Sequence, residues 1–267
     1  METFNEPLRV VVITQHDSFV IPKNLYILSK VSNTKIFKVI VQSSKSSLNN
    51  KKLHFVKGFG LLQSAKLGIK IAINYFISYL DRLSGFNMLA IPKSIKNVCR
   101  KLAIDYEEIN DINSAKCIST LEQLSPDLIV SYSAPNVFSQ HLLDIPKHGC
   151  INLHCSLLPE CSGVMPSFWA LYKNKKYTGA TVHIMDSEID NGPILMQEKV
   201  IIQPKMTMYD VIKETKKVGG QLMCLVVKEI TNNSKIVRDN NSIKSEYNSW
   251  PTIEQIQEFR RMGHRLI

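Results

Sequence analysis

The sequence predicts an α/β fold, a mostly parallel central sheet with helices on both faces. Three observations carry this. Leu8–Thr14 and Asp127–Tyr132 are short, continuous apolar runs with β-branched residues, the pattern of strands buried on both faces. Strand, helix and strand follow one another over residues 8–41, and that order at that spacing favours a right-handed crossover between parallel strands. The 267 residues, without internal repeat, can bury a sizeable core around one sheet.

The elements follow in order. After the strand Leu8–Thr14, Pro22 stands at a first-turn helical position, with Leu25, Ile27, Leu28 and Val31 behind it. Ile36–Val41 is the second strand. The turn after the first strand has no glycine-rich phosphate loop, which argues against a dinucleotide site. Residues 43–58, rich in Ser, Asn and Lys, read as a polar loop. Over Leu61–Leu83, the residues Leu62, Ala65, Ile69, Ala72, Phe76, Leu80 and Leu83 recur at helical spacing, with Lys66, Lys70, Asn74 and Asp81 marking the other side. The charges interrupt this helix too often for a transmembrane span. Packing on the sheet is the ordinary expectation, and a peripheral contact of residues 61–83 with a membrane surface is the alternative.

Pro92–Leu102 reads as a helix and Ile104–Ile109 as a short strand. Asn113 is the expected cap of a helix ending near Leu124. The strand Asp127–Tyr132 runs into a turn, Ser131–Val137, and a short helix to Leu143. Cys150–His154 begins as a strand because Ile151 and Leu153 alternate with Asn152 and His154. Pro166–Tyr172 is a helix, Thr178–Met185 and Ile194–Ile202 are strands, and Thr207–Ile230 is a long helix with Gly219-Gly220 as a weak point. Thr252 and Gln255, three apart, form a capping box for a last helix.

Composition is ordinary for a globular protein. The apolar run Leu8–Thr14 is too short for a signal peptide. The six cysteines contain no Cys-x-x-Cys pair and read as reduced thiols of a cytoplasmic protein. Cys150, His154, Cys155 and Cys161 fit no common zinc spacing, so no metal is expected. Cys155 adjoins His154, but strand neighbours point to opposite faces, which places the pair badly for thiolate chemistry. The net charge of +10 is uneven: residues 1–100 hold 15 Lys and Arg against 4 Asp and Glu, and the remainder is nearly neutral. A basic first half suits an anionic partner, whereas a lysine-rich solvated face is the plainer reading.

The most informative stretch is 150–192. Asn152 and His154, two apart on a strand, share one face at its C-terminal end, where open α/β sheets place their ligands. Asp190 comes later, in a loop closed by Asn191-Gly192-Pro193. Taken singly, such a histidine is more often structural and such an aspartate more often a turn residue. Together, Asn152-x-His154 followed by Ser156-Leu157-Leu158-Pro159, then Thr178–His183 and Asp190-x-Gly192, resemble the folate-dependent formyltransferases. The resemblance covers about 50 residues with specific motifs in the right order; residues 8–150 match only in layout.

The resemblance implies a Rossmann-like formyltransferase fold, with a catalytic domain over 1–205 and a helical C-terminal extension over 206–267. It implies that N10-formyltetrahydrofolate is the donor and that Asn152, His154 and Asp190 are the catalytic set. In that set the amide and imidazole flank the formyl oxygen as charge develops on it. The aspartate favours the protonated imidazole or holds a water that relays protons. It further implies that the folate lies along Ser131, Ala134, Asn136 and Val137, against Ser156, Leu157, Leu158 and Pro159, and beside Asp186 and Ile189.

Gly163–Tyr172, Ile189–Ile194 and the end from Trp250 look similar to formyltransferases that act on amino sugars of surface polysaccharides. A nucleotide-linked amino sugar is therefore the favoured acceptor. Tyr247 and Trp250 are candidates to stack on its base, or merely to fix the tail. His16 and Asp17 are candidates to lie near the sugar. The tail is short for the tRNA-binding domain of methionyl-tRNA members, so tRNA is the less favoured acceptor. A 10-formyltetrahydrofolate hydrolase, a nucleic-acid-binding module on an inactive scaffold, and a homodimer all stay open.

Overall fold

The computed structural model describes residues 6–17, 19–43, 53–133, 136–232 and 247–267. Within them lie seven strands: β1 Leu8–Gln15, β2 Thr34–Gln42, β3 Asp105–Ile109, β4 Leu128–Tyr132, β5 Cys150–His154, β6 Tyr177–Ile184 and β7 Ile194–Ile201. They form one sheet in the order β3-β2-β1-β4-β5-β6-β7. The pairs from β3 to β5 are parallel, whereas β5–β6 and β6–β7 are antiparallel. The order reverses at β1, which lies between β2 and β4. The C-terminal ends of β1, β4 and β5 therefore bound the crevice of an open α/β sheet.

The named helices are α1 Ile21–Leu28, α2 Leu61–Leu83, α3 Ile95–Leu102, α4 Ala115–Leu124, α5 Gln140–Leu143, α6 Pro166–Tyr172, α7 Met208–Thr231 and α8 Ile253–Arg261. Both faces of the sheet are covered, as the unbroken apolar strands require. Val10 and Val12 of β1 join one buried cluster with Ile21 and Leu25 of α1, Val98 of α3, and Leu222, Met223, Val226 and Val227 of α7. Val11 and Ile13 point the other way, into a cluster with Ile118 and Leu121 of α4 and Leu142 of α5. Helix α7, the first element of the segment from residue 206, is thus part of the core of the sheet. A third cluster joins α6 to α8 through Phe168, Trp169, Ile256 and Phe259.

Several local expectations are corrected. The polar loop expected over 43–58 is helical over 53–59, outside its undescribed part. Phe59 is buried and meets the Phe259 ring edge-on at 6.0 Å, so the apolar residues of this stretch serve the third cluster. The helix expected from Pro92 starts at Ile95, because Ser94 accepts the N–H of Asn97 and caps it. The cap position of α4 is Ser114 rather than Asn113. Asn113 instead bridges to the next connection, donating to the Val137 carbonyl and accepting from Ser139 N. Thr252 and Gln255 form the expected capping box of α8.

Helix α2 forms as expected, but it does not lay its apolar arc on the sheet. Only Ser78 and Asp81 of its residues are buried, while Leu62, Ile69 and Phe76 are all more than half exposed.

Gly219 and Gly220 are no weak point, because α7 runs unbroken through them. A Cβ on Gly219 would overlap the Leu153 side chain of β5, and one on Gly220 would overlap Asn24 of α1. The two glycines let α7 approach the sheet and α1 more closely than any side chain allows. Gly219→Ala should lower stability by about 2 kcal/mol through overpacking, read as a shift in urea midpoint at unchanged slope.

Candidate active site

Strand pairing builds the site. The parallel β4–β5 register sets Ser131 beside Asn152, and the antiparallel β5–β6 register sets His183 opposite Asn152. Asn152, His154 and His183 therefore stand on neighbouring strands at one end of the sheet. The Asn152 Nδ2 lies 3.2 Å from His183 Nε2, and His183 Nδ1 lies 2.9 Å from the Ile184 carbonyl. His183 Nδ1 thus faces the Ile184 carbonyl, and Nε2 faces the Asn152 amide.

The loop after β6 carries Asp190 back over this end. Asp190 sits at φ 54°, in the left-handed region that Asp tolerates better than most residues. Nearby, a Cβ on Gly192 would overlap the Ile184 carbonyl, so the loop closes this tightly only with glycine there. The result is a carboxylate only 8% exposed and surrounded by donors. Its Oδ2 lies 3.3 Å from His154 Nδ1 and accepts the Gly163 N–H at 2.7 Å, while Oδ1 lies 3.6 Å from His183 Nε2. Burial alone would raise its pKa. The His154 charge, the His183 contact and the Gly163 N–H outweigh burial and hold it down at about 2.

His154 is itself 6% exposed, and its Nε2 lies 3.0 Å from the Cys161 carbonyl. Both ring nitrogens thus face oxygen atoms, Asp190 Oδ2 on one side and the Cys161 carbonyl on the other.

Gly163 links this centre to the C-terminal tail. It sits at φ 93°, and a Cβ there would overlap the Asn248 carbonyl and press on the Tyr247 ring. Asn248 and the 162–164 loop exchange backbone bonds, Asn248 N to Ser162 O and Val164 N to Asn248 O. The tail therefore braces the loop that donates to Asp190.

The other expected residues lie at varied distances from this centre. Ser131 is fully buried, with no hydrogen-bond partner for its Oγ among the described residues. Ala134 lies outside the described residues. Asn136 and Val137 are exposed. Ser156 donates to the Glu160 carbonyl. Leu157 packs over Gly179, and Leu158 is pinned by its N–H to Thr181 Oγ1 and its carbonyl to Gln197 Nε2. Pro159 is half-buried in the same turn, Asp186 accepts the Glu188 N–H, and Ile189 is exposed.

Tyr247 lies against Gly163, close to the centre, whereas the Trp250 ring meets Phe55 at 5.8 Å. His16 is half exposed and pairs with Glu108 at 3.7 Å. Asp17 is turned inward: it accepts the N–H groups of Phe19, Val20 and Ile21 ahead of α1 and pairs at 2.7 Å with Lys216, whose side chain is 13% exposed. Burial opposes ionisation of Asp17, but Lys216 and those N–H groups keep its pKa lowered. Cys155 lies near this pair, and burial raises its thiol pKa.

The sequence reading gave His183 no role. Its signal was present in the alternation of Thr181 and His183 along β6, but only the β5–β6 register brings it to Asn152.

Comparison with known proteins gives the family and the fold. Residues 38–227 match the formyl transferase family. The chain belongs to that family. A methionyl-tRNA formyltransferase from Clostridium perfringens is 34% identical over 145 residues, covering 53% of this chain and 46% of its own length. The chain thus spans about half the length of the curated relatives it matches. Among solved structures, glycinamide ribonucleotide transformylase 1 from Symbiobacterium toebii aligns with TM-score 0.63 and 14% identity, covering 90% of this chain and 95% of its own. A sugar N-formyltransferase from a Shewanella species aligns with TM-score 0.57 and 18% identity, covering 91% and 76%. These likenesses establish the shared fold.

A carboxylate held at about 2 stabilises the folded state only while ionised. Its contribution, about 2 kcal/mol, is complete above the ordinary carboxylate range near pH 4 and lost as pH falls toward 2. The stability gap between wild type and Asp190→Asn should therefore narrow from pH 5 to pH 2, as measured by urea unfolding at stepped pH.

Proposed function

We propose that this formyl transferase moves a formyl group from N10-formyltetrahydrofolate to the primary amine of a nucleotide-linked amino sugar. The observation that carries this is the buried Asp190 carboxylate gripping His154 and the Gly163 N–H, with the Asn152 amide on the same strand face. The unpartnered Oγ of Ser131, in the strand beside Asn152, fits a wall that offers polar groups to a pterin edge. The donor supplies an activated formyl carbon: a bond from the amine nitrogen to that carbon replaces the bond from N10, and one proton passes from the amine to N10.

The chain's residues do the rest. Asn152 Nδ2 offers an N–H to the oxygen on which negative charge grows, a role in which one preorganised donor is typically worth ~10²–10³-fold in rate. His154 supplies the second donor through Nε2, once the formyl oxygen takes the place of the Cys161 carbonyl. Asp190 remains ionised across the physiological range, so it stabilises positive charge on the imidazole and holds a water between amine and N10; it does not itself store the proton. Tyr247, half exposed beside Gly163, offers a flat face to the sugar carrier's base.

A sugar acceptor is supported by the tail that frames this site with Tyr247 and Asn248, and by the fold shared with the Shewanella sugar N-formyltransferase. A tRNA acceptor is the second reading, favoured by the sequence likeness to methionyl-tRNA formyltransferases and the basic first half. Incubation with formyltetrahydrofolate and either nucleotide-linked amino sugars or methionyl-tRNA, scored by mass gain, separates the two. We expect one N-formylated sugar product, and rates ~10²–10³-fold lower for His154→Ala and Asp190→Asn. Turnover near wild type in both variants would overturn the assignment of the triad, and formate release without amine would turn the reading to a hydrolase.

A further inference from the structure

Helix α2 is built inside out. Its polar side faces the protein: Gln63 accepts the N–H of Ile267, the Ser78 carbonyl accepts from Asn97, and Asp81 accepts the N–H of Leu89. Leu67 packs into the third cluster on the same side. The opposite side carries Leu62, Ile69, Ile73, Phe76, Leu80 and Leu83, exposed by 36% to 68%. These residues fall on one arc of a 23-residue helix about 35 Å long. A continuous apolar stripe of that length is well beyond the scattered exposed leucines of an ordinary surface.

We propose that α2 docks this face into the headgroup region of an anionic lipid bilayer, lying in the plane of the surface. Charge selects the occupant. Between residues 53 and 101 there are eight Lys and Arg and a single acid, Asp81, which is buried. Lys66 flanks the stripe on one side and Arg82, over the Tyr79 ring at 5.4 Å, on the other. A large apolar face bordered by cations and free of exposed acids matches an interfacial helix on anionic lipid. A second copy of the chain covering the same face would bring the same cations together. RNA would satisfy the cations but leave the leucines and Phe76 in water. No helix among the described residues is long and apolar enough to cross a membrane, so the contact lies on the surface.

Co-sedimentation of the full chain with vesicles tests this. With phosphatidylcholine–phosphatidylglycerol vesicles, wild type should pellet; with phosphatidylcholine alone, or in molar salt, binding should fall about tenfold. Ile69→Glu/Phe76→Glu should lower partition into the anionic vesicles about a hundredfold, and Lys66→Glu/Arg82→Glu about tenfold. Each side chain is at the surface, and unchanged far-UV circular dichroism checks the fold of each variant. Failure of wild type to pellet overturns the proposal. So does equal pelleting of Ile69→Glu/Phe76→Glu. A wild-type dimer in sedimentation velocity that dissociates in Ile69→Glu/Phe76→Glu, with no vesicle binding, assigns the face to a second copy. Retention of structured RNA that depends on Lys66 and Arg82 but not on Ile69 and Phe76 assigns it to nucleic acid.

Discussion

A buried carboxylate must be met by donors or it does not stay charged, and Asp190 imposes that requirement on several separate parts of the chain. His154 comes from the end of β5, His183 from β6, and the Gly163 N–H from the loop between them. Each donor has its own support. The β5–β6 register aligns the two histidines, Gly192 tightens the loop that carries the aspartate, and Asn248 fixes the loop that carries Gly163. The site is therefore over-determined in position before any substrate arrives, which is what electrostatic catalysis needs.

The tail belongs to the same system. Its only bridge outside the named strands pairs Asn248 with Gly163, among the described residues, and Asn248 also donates to the Ser162 carbonyl through its side chain. Trp169 of α6 donates to the Ser249 carbonyl. A segment that reads as a polar C-terminal extension thus forms a brace whose far end is one hydrogen bond from the Asp190 carboxylate.

Much of the fold was legible in the sequence because the sheet is buried on both sides. The runs at Leu8–Thr14 and Asp127–Tyr132 admit few other structures, and Thr252 with Gln255 spells out its cap directly. The meeting of His154 and Asp190 was legible through spaced motifs rather than through either residue alone. The failures share a cause: the deciding interaction is between elements distant in sequence. Gly219 and Gly220 read as a weak point of their helix until Leu153 and Asn24 are placed against them. Asn113 reads as a cap until Val137 and Ser139 come within its reach. His183 is unremarkable in β6 alone. Helix α2 has the apolar period of a core helix, and periodicity cannot tell which side faces the core.

Close packing of α7 also explains the second charged pair. Lys216 lies one turn before Gly219 and Gly220, where α7 comes down onto α1 and β5. At that approach its ammonium reaches Asp17, which fixes the N-terminal end of α1, while Asn24 of α1 donates back to the Lys216 carbonyl. The two pairs flank the end of β5 from different sides: Asp190 meets His154, and Asp17 with Lys216 lies near Cys155. Neutralising Lys216 would leave Asp17 with its three backbone donors but without a counter-charge in a buried position, and removing one partner of such a pair typically costs about 3–5 kcal/mol. The glycines that permit the close approach, and the ion pair that the approach creates, are thus one design: a closely packed floor on one side of β5 that lets the other side hold Asn152 and His154 in a single arrangement.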